Sequence, residues 1–368
     1  MGGDAASPLN LQRIAAPGPF FQGWLVRAID HAAGRSLLLI VASFSRDGSA
    51  AFDEHYVFCA VAGGDATRTF HAFPAPARVT VSPPGGRGAL DLRWGAERDA
   101  NASATSDGVR ARLDFTDSLC LADCAFGDAL AVSMRVSERL PWREEGALSV
   151  GPEGWLGRTP LLPSRYFIHS VGSRVEYAVR LDRRALEGRG VAHMECNYGN
   201  FFPRGWVWAQ AIGPGNASSF SLVIGRIVVG PLEPSIATFY LRRGDGRTAV
   251  FRTTDLDRVR YDLDGVRKVA HLDFVSRFTR RRATLRIEAR DPAFHQVFTP
   301  TPRGMSDAPG CEETYTAVAT ATYEDDGGRE THVFPLTAFE FGGSFRGAVH
   351  RNAHLAPAGP DAPAGTAR

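Results

Sequence analysis

The stretch AHMECNYGNFFPRGWVWAQ, residues 192–210, gathers His193, Glu195, two tryptophans and two turn signals into one short segment. In an extended chain, His193, Glu195 and Asn197 point one way, and Met194 and Cys196 the other. Glu195 is then either a surface charge or a buried acid. Burial in apolar surroundings raises the pKa of a carboxylic acid, because the charged form is desolvated. A carboxyl that keeps its proton near neutral pH can act as a general acid. Downstream, Trp206, Trp208 and Gln210 share one strand face, and Val207 and Ala209 share the other. Both faces are mostly apolar, as in a closed barrel whose lumen is lipophilic. Gly199, Pro203 and Gly205 lie between the acid and the tryptophans. They read either as an ordinary connection or as a crossing between two domains with a cleft above it.

Two further places carry candidate chemistry. In PGPFFQGWLVRAID (17–30), Phe20, Gln22 and Trp24 alternate with Phe21 and Gly23. The segment reads as a first core strand, with Gly23 marking a bulge or a close backbone approach. His169, in RYFIHSVGS, is either a satisfied core histidine or a proton acceptor.

Other chemistries find no support. No phosphate-binding G-x-G-x-x-G or P-loop opens a helix, and there is no G-x-S-x-G elbow. Cys120-x3-Cys124 lacks a second ligand pair nearby, so no metal is expected. Five cysteines (59, 120, 124, 196, 311) without a repeating spacing fit a reducing compartment better than a disulfide scaffold. The chain carries 42 basic and 40 acidic residues, a balance that argues against a nucleic-acid surface. Its dense basic cluster, Arg277 with Arg280, Arg281 and Arg282, reads as a solvated turn or strand edge. No run approaches the roughly 20 apolar residues of a membrane span. Neither a secretory nor a transit peptide is evident. The expected location is intracellular, soluble or peripheral to a membrane, with a plastid the alternative for a photosynthetic eukaryote.

The elements that must position these residues are strands. Segments 36–44, 55–62, 77–82, 88–94, 129–137, 174–181, 206–212, 219–229, 236–242, 283–290 and 314–325 are rich in β-branched and aromatic residues and bounded by Gly, Pro, Asp or Asn. Asp47-Gly48, Asp107-Gly108, Asp264-Gly265 and Asp326-Gly327 predict tight turns. Only 183–188 hints at a helical turn. In 314–323, Tyr315, Ala317, Ala319, Ala321 and Tyr323 form one face, whose small residues leave room inside a barrel or against another sheet. With 39 glycines and 23 prolines, the chain reads as all-β, built from barrels or sandwiches.

These residues resemble a known family. FFQGW (20–24) is similar to the opening F-Y-E-G-W of the tocopherol cyclase family. MECNYGNFFPRGWVWAQ (194–210) resembles its E-K-N-W-G, F-P and W-x-W-x-Q signature. EETYTAVATATY (312–323) and EFGG (340–343) resemble its last strands, so the resemblance spans residues 18–350. It implies two lipocalin-like antiparallel β-barrels packed together, over 18–200 and 201–350; by composition, 1–17 reads as a flexible arm and the Pro/Ala/Gly-rich 351–368 as a disordered tail. It also implies closure of a chromanol ring on a prenylated benzoquinol, by protonation of the side-chain alkene and without a cofactor. Glu195 would be the proton donor, oriented by Asn197, with His169 accepting the phenol proton. Trp24, Trp206, Trp208 and Tyr198 would surround the substrate, and Gln22 and Gln210 would bind the quinol hydroxyls. The implied partner is a lipophilic prenylquinol, drawn from a membrane or lipid-droplet surface; the oligomeric state is not legible. Departures are Gln22 for the family's Glu, Cys196 for Lys and Tyr198 for Trp. An olefin hydratase and a non-catalytic prenyl-lipid carrier are the alternatives.

Overall fold

The computed structural model describes residues 18–47, 53–63, 66–74, 90–94, 108–115, 119–144, 151–159, 161–228, 231–289 and 294–352. The arm 1–17, the strand expected at 77–82, the turn residues Gly48 and Asp107, and the tail beyond 352 lie outside these.

Ten strands form the first sheet: Phe20–Asp30 (β1), Arg35–Ser45 (β2), Glu54–Gly63 (β3), Ala66–Ala72 (β4), Leu90–Trp94 (β5), Val109–Phe115 (β6), Leu119–Phe126 (β7), Leu130–Ser137 (β8), Ser164–Leu181 (β9) and Arg184–Gly199 (β10). The second sheet begins with Gly205–Ile212 (β11), Ser219–Arg226 (β12), Ser235–Arg242 (β13), Thr248–Arg252 (β14), Arg258–Asp264 (β15), Val269–Val275 (β16) and Arg282–Glu288 (β17). His295–Val297 (β18) pairs with the start, 311–313, of that sheet's next long strand, and Pro300–Thr301 (β19) pairs with Gly304–Met305 (β20) as a separate ribbon. Cys311–Asp325 (β21), Gly328–Gly343 (β22) and Val349–Arg351 (β23) complete the second sheet. Among the described residues the only helical elements are short 3-10 turns, and none is long and apolar enough to cross a membrane.

Both sheets follow one plan. The first strand pairs on one side with the second and on the other with the last long strand: β1 with β2 and β10, β11 with β12 and β22. All neighbours are antiparallel; the first path ends on the consecutive strands β4 and β5, and the second runs from β14 to β15 with the short β23 added beyond β15. Each sheet thus curls into a barrel around its own core. Trp24, Val26, Ala28, Leu39, Val132, Val175 and Met194 fill the first. Val207, Leu222, Phe239, Phe251, Phe274 and Phe339 fill the second. Ala317, Ala319 and Ala321 face into the second barrel, and their small side chains make room for those phenyl rings.

A third cluster lies between the barrels. Phe21, Leu25, Phe44, Tyr56 and Ile168 from the first meet Trp206, Trp208, Tyr240 and Tyr315 from the second. This explains which strands read as continuous apolar runs. Every residue of β11 is buried, as are all but one of β1, because one face fills a barrel and the other fills the junction. β8 and β17 alternate instead, since their outer faces meet solvent. The lipophilic lumen expected behind Trp206 and Trp208 is therefore a packed core, and the tryptophans face the junction. The helical turn expected at 183–188 is instead the hairpin between β9 and β10, turning at Asp182 with φ of 55°.

Candidate active site at the barrel junction

The junction holds a cavity of about 160 Å³. One water needs only about 10–15 Å³ of such space, so the cavity has room for much more than one water. Residues of both barrels line it. Its apolar wall includes a ladder of rings: Phe21 lies 5.1 Å from Phe202, and Phe202 lies 5.0 Å from Trp206, all stacked. Phe202 and Pro203 come from the connection between the two sheets. Gly23 also faces the cavity. A Cβ there would meet Ala42 at an ordinary 3.6 Å, so this glycine marks neither a bulge nor a tight backbone approach.

Among the described residues, four carboxyl groups line this apolar space: Glu153, Glu195, Glu313 and Glu340. Glu195 stands on β10, where a register shift opposite β9 follows Ala192. Met194 and Cys196 enter the first barrel's core, so Glu195 faces the junction and is only 2% exposed. Its Oε2 accepts from the Tyr166 hydroxyl at 2.6 Å and the Trp208 indole at 3.3 Å, and lies 2.7 Å from His193 Nε2. Tyr166 also lies 3.1 Å from Ser221 Oγ and accepts from Trp208 at 3.1 Å. The partners that orient Glu195 are thus His193, Tyr166 and Trp208. Asn197 lines the same cavity but supplies none of these bonds.

Glu313 on β21 and Glu340 on β22 are directly opposite in register, and Glu340 is in turn opposite Trp208 on β11. Tyr315 donates its hydroxyl to Glu313, and Trp206 donates its indole N–H to Glu340. Burial and the Glu340 charge hold Glu313 well above the usual carboxylate range, against the opposing pull of Tyr315 and Arg27. Burial pushes Glu340 up to about 7, with the Glu195 charge adding to the rise. Glu153, from the segment between β8 and β9, accepts the Tyr166 backbone N–H and is also pushed by burial up to about 7.

The other expected site residues lie elsewhere. Gln22, Trp24, Tyr198 and His169 belong to the first barrel's interior side. The Gln22 amide reaches Cys196 Sγ at 3.5 Å, not the junction cavity. Trp24 borders the cavity with its backbone neighbours, but its ring stacks on His169 at 5.1 Å and packs against Phe115. His169 has no hydrogen-bond partner on either ring nitrogen, and burial drives its pKa down to about 3. It is a neutral core histidine and stands on the opposite strand face from Tyr166. Tyr198 packs against the first core, and burial raises its hydroxyl to about 12. Gln210 faces the junction, but its Oε1 is taken by Arg27 at 2.7 Å. Trp206 and Trp208 do line the cavity. Among the described residues, no group of three His, Cys, Asp or Glu side chains is placed to hold a metal ion.

Sequence reasoning missed Tyr166, His193 as a partner, Glu153 and the Glu313–Glu340 pair. A signal existed for the last two. Glu313 falls on the buried face of its strand, and Glu340 sits between two buried phenylalanines.

No family model and no curated protein matches the sequence. Solved structures do share the fold. CghA in complex with Sch210972 matches with a TM-score of 0.59 at 16% identity, over 88% of each chain. A putative AttH from Nitrosomonas europaea matches with a TM-score of 0.51 at 13% identity, over 89% of this chain and 93% of that one. Kievitone hydratase from Nectria haematococca matches with a TM-score of 0.50 at 10% identity, over 92% of both.

Proposed function

We propose that this protein is a cofactor-independent enzyme that protonates an alkene in an apolar substrate, with a tocopherol cyclase-like ring closure as its reaction. The carrying observation is a cavity between two barrels that, among the described residues, four carboxyl groups and a ladder of aromatic rings line. An apolar wall suits a prenyl chain. Carboxyls held protonated by burial suit acid catalysis, worth about 10²–10⁴-fold. Rings beside a developing tertiary cation contribute roughly 0.5–2 kcal/mol. On a prenylated benzoquinol, the alkene takes a proton, the phenol oxygen attacks the cation, and the phenol proton leaves. The substrate would be a lipophilic prenylquinol delivered from a membrane or lipid-droplet surface.

Hydration of the same cation is the second reading, favoured by the fold shared with a protein named a hydratase. Product mass separates the two: cyclisation leaves it unchanged, and hydration adds one water. The test is incubation of the purified protein with a phytylated benzoquinol, followed by mass spectrometry. A product of unchanged mass is expected, and Glu195→Gln should lower turnover by about 10²-fold or more. Tight binding with neither product would show a carrier instead.

A further inference from the structure

The carboxyls of the cavity fall into two groups with different surroundings. Glu195 Oε2 accepts from two donors, the Tyr166 hydroxyl and the Trp208 indole, with His193 Nε2 2.7 Å away. Glu313 and Glu340 each accept from one, and they differ in facing each other. They are cross-strand partners on β21 and β22, and both line the cavity. Side chains directly opposite in an antiparallel pair have Cβ atoms about 4.5–5.5 Å apart, and like charges there repel. No ion pair to either is found among the described residues. Glu313 is buried and Glu340 part-buried, and on facing positions each opposes the other's ionisation, which favours keeping one proton on the pair.

We infer that Glu313 and Glu340 form a carboxyl dyad that holds one proton and is the acid of this site, and that Glu195, with His193 beside it, is the base. The assignment rests on the acid–base reading of the cavity given above. It replaces the expectation that Glu195 donates. The groups facing the dyad act in both directions. The Glu195 charge disfavours ionisation of both carboxyls, whereas the Trp206 and Cys311 hydrogen bonds at Glu340 and the Tyr315 hydroxyl at Glu313 favour it. Arg27 also favours ionisation of Glu313 but is engaged by five acceptors of its own. In the reaction, a dyad O–H bond breaks and its proton forms a C–H bond at the less substituted alkene carbon. The phenol oxygen, or water, forms the C–O bond to the tertiary carbon, and its O–H proton passes to Glu195. One proton enters and one leaves, so no co-reactant beyond water is needed. Exchange with solvent after product release resets both groups.

Infrared spectroscopy of the full chain at neutral pH, in water and deuterium oxide, reads the proton directly. The wild type should show a deuterium-sensitive protonated-carboxyl band. The band should diminish in the Glu313→Gln/Glu340→Gln double variant and persist in Glu195→Gln. A wild type without the band overturns the dyad, as does a band left undiminished in the double variant. These readouts need no turnover. With a phytylated benzoquinol as probe, each single variant of the dyad should lose about 10²-fold or more in kcat. A double variant with wild-type kcat overturns the catalytic role. A wild type that shows the band but forms neither product refutes the cyclase and hydratase readings, while the shared proton stands.

Discussion

At the scale of single residues, burial decides what each titratable group can do. His169 shows the point because it stands apart from the cavity. Its imidazole is stacked in the first core with no hydrogen bond to either nitrogen. Its pKa falls from 6.5 to about 3, through burial first and then through the Arg139 and His193 charges. The unfolded chain therefore binds more protons than the fold between those values. The contribution of His169 is fully present above 6.5 and is lost as pH falls toward 3, with a slope of up to about 1.4 kcal/mol per pH unit. Glu153 and Glu340 act in the opposite sense. Raised from 4.5 to about 7, they favour the fold as pH falls through that window. Total stability thus hides both effects, and a difference measurement separates them. Urea unfolding of His169→Phe and wild type across this range should give a difference that grows as pH falls, in favour of the variant. A difference independent of pH would mean that His169 titrates alike in the fold and in the unfolded chain. Residue chemistry was legible from sequence only where unusual types crowd together. Glu195, Trp206 and Trp208 stand in one dense motif. Tyr166, 29 positions from Glu195, is joined to it only by the pairing of β9 with β10, which no local pattern reveals.

At the scale of elements, register places the acids. Glu313 meets Glu340, Glu340 meets Trp208, and Trp206 meets Gly342. The last pair is tight: a Cβ on Gly342 would fall 1.9 Å from Trp206 Cε2. The indole lies across this glycine, and that position lets its N–H reach Glu340. Gly342→Ala should therefore displace the ring and weaken its hold on Glu340. The expected loss of stability is about 1–3 kcal/mol, typical of overpacking. It should be visible as a lower Tm with altered tryptophan fluorescence, and unchanged fluorescence would count against the contact. The sequence shows a glycine pair after a glutamate here, but not that a tryptophan from another strand covers it. Strand type was more legible than strand pairing. β2, β3 and β11 announce themselves as unbroken apolar runs. β10 does not, because Arg184–Gly190 is polar and only its second half is buried.

At the scale of the whole molecule, the cavity exists only while two separately cored barrels stay in one arrangement. Among the described residues, Arg27 makes the largest set of the side-chain bonds between them, beside those of Trp208 and Ser221 to Glu195 and Tyr166. It is fully buried on β1, and its five N–H donors have five acceptors. Nε reaches Ser36 in its own barrel at 3.0 Å. The other four reach the second barrel: the Gln210 carbonyl and side chain, the Tyr315 carbonyl and the Leu336 carbonyl. That last acceptor is available because the β21–β22 pairing breaks register around Pro335 and Leu336, where Leu336 takes a φ of 58°. A proline inside a strand calls for such a bulge. Here the bulge turns a carbonyl out of the ladder and toward the guanidinium. Arg27 also ties the fold to the site, since the Tyr315 whose carbonyl it binds is the residue that donates to Glu313. Arg27→Met keeps much of the side-chain volume but strands buried acceptors, each costing about 1–3 kcal/mol. The variant should lose roughly 3 kcal/mol or more in total. The form of the loss discriminates further. Calorimetry should resolve one transition in the wild type and two in the variant, because each barrel keeps its own core. A single transition in Arg27→Met, with a loss below about 1 kcal/mol, would place the coupling in the aromatic junction instead.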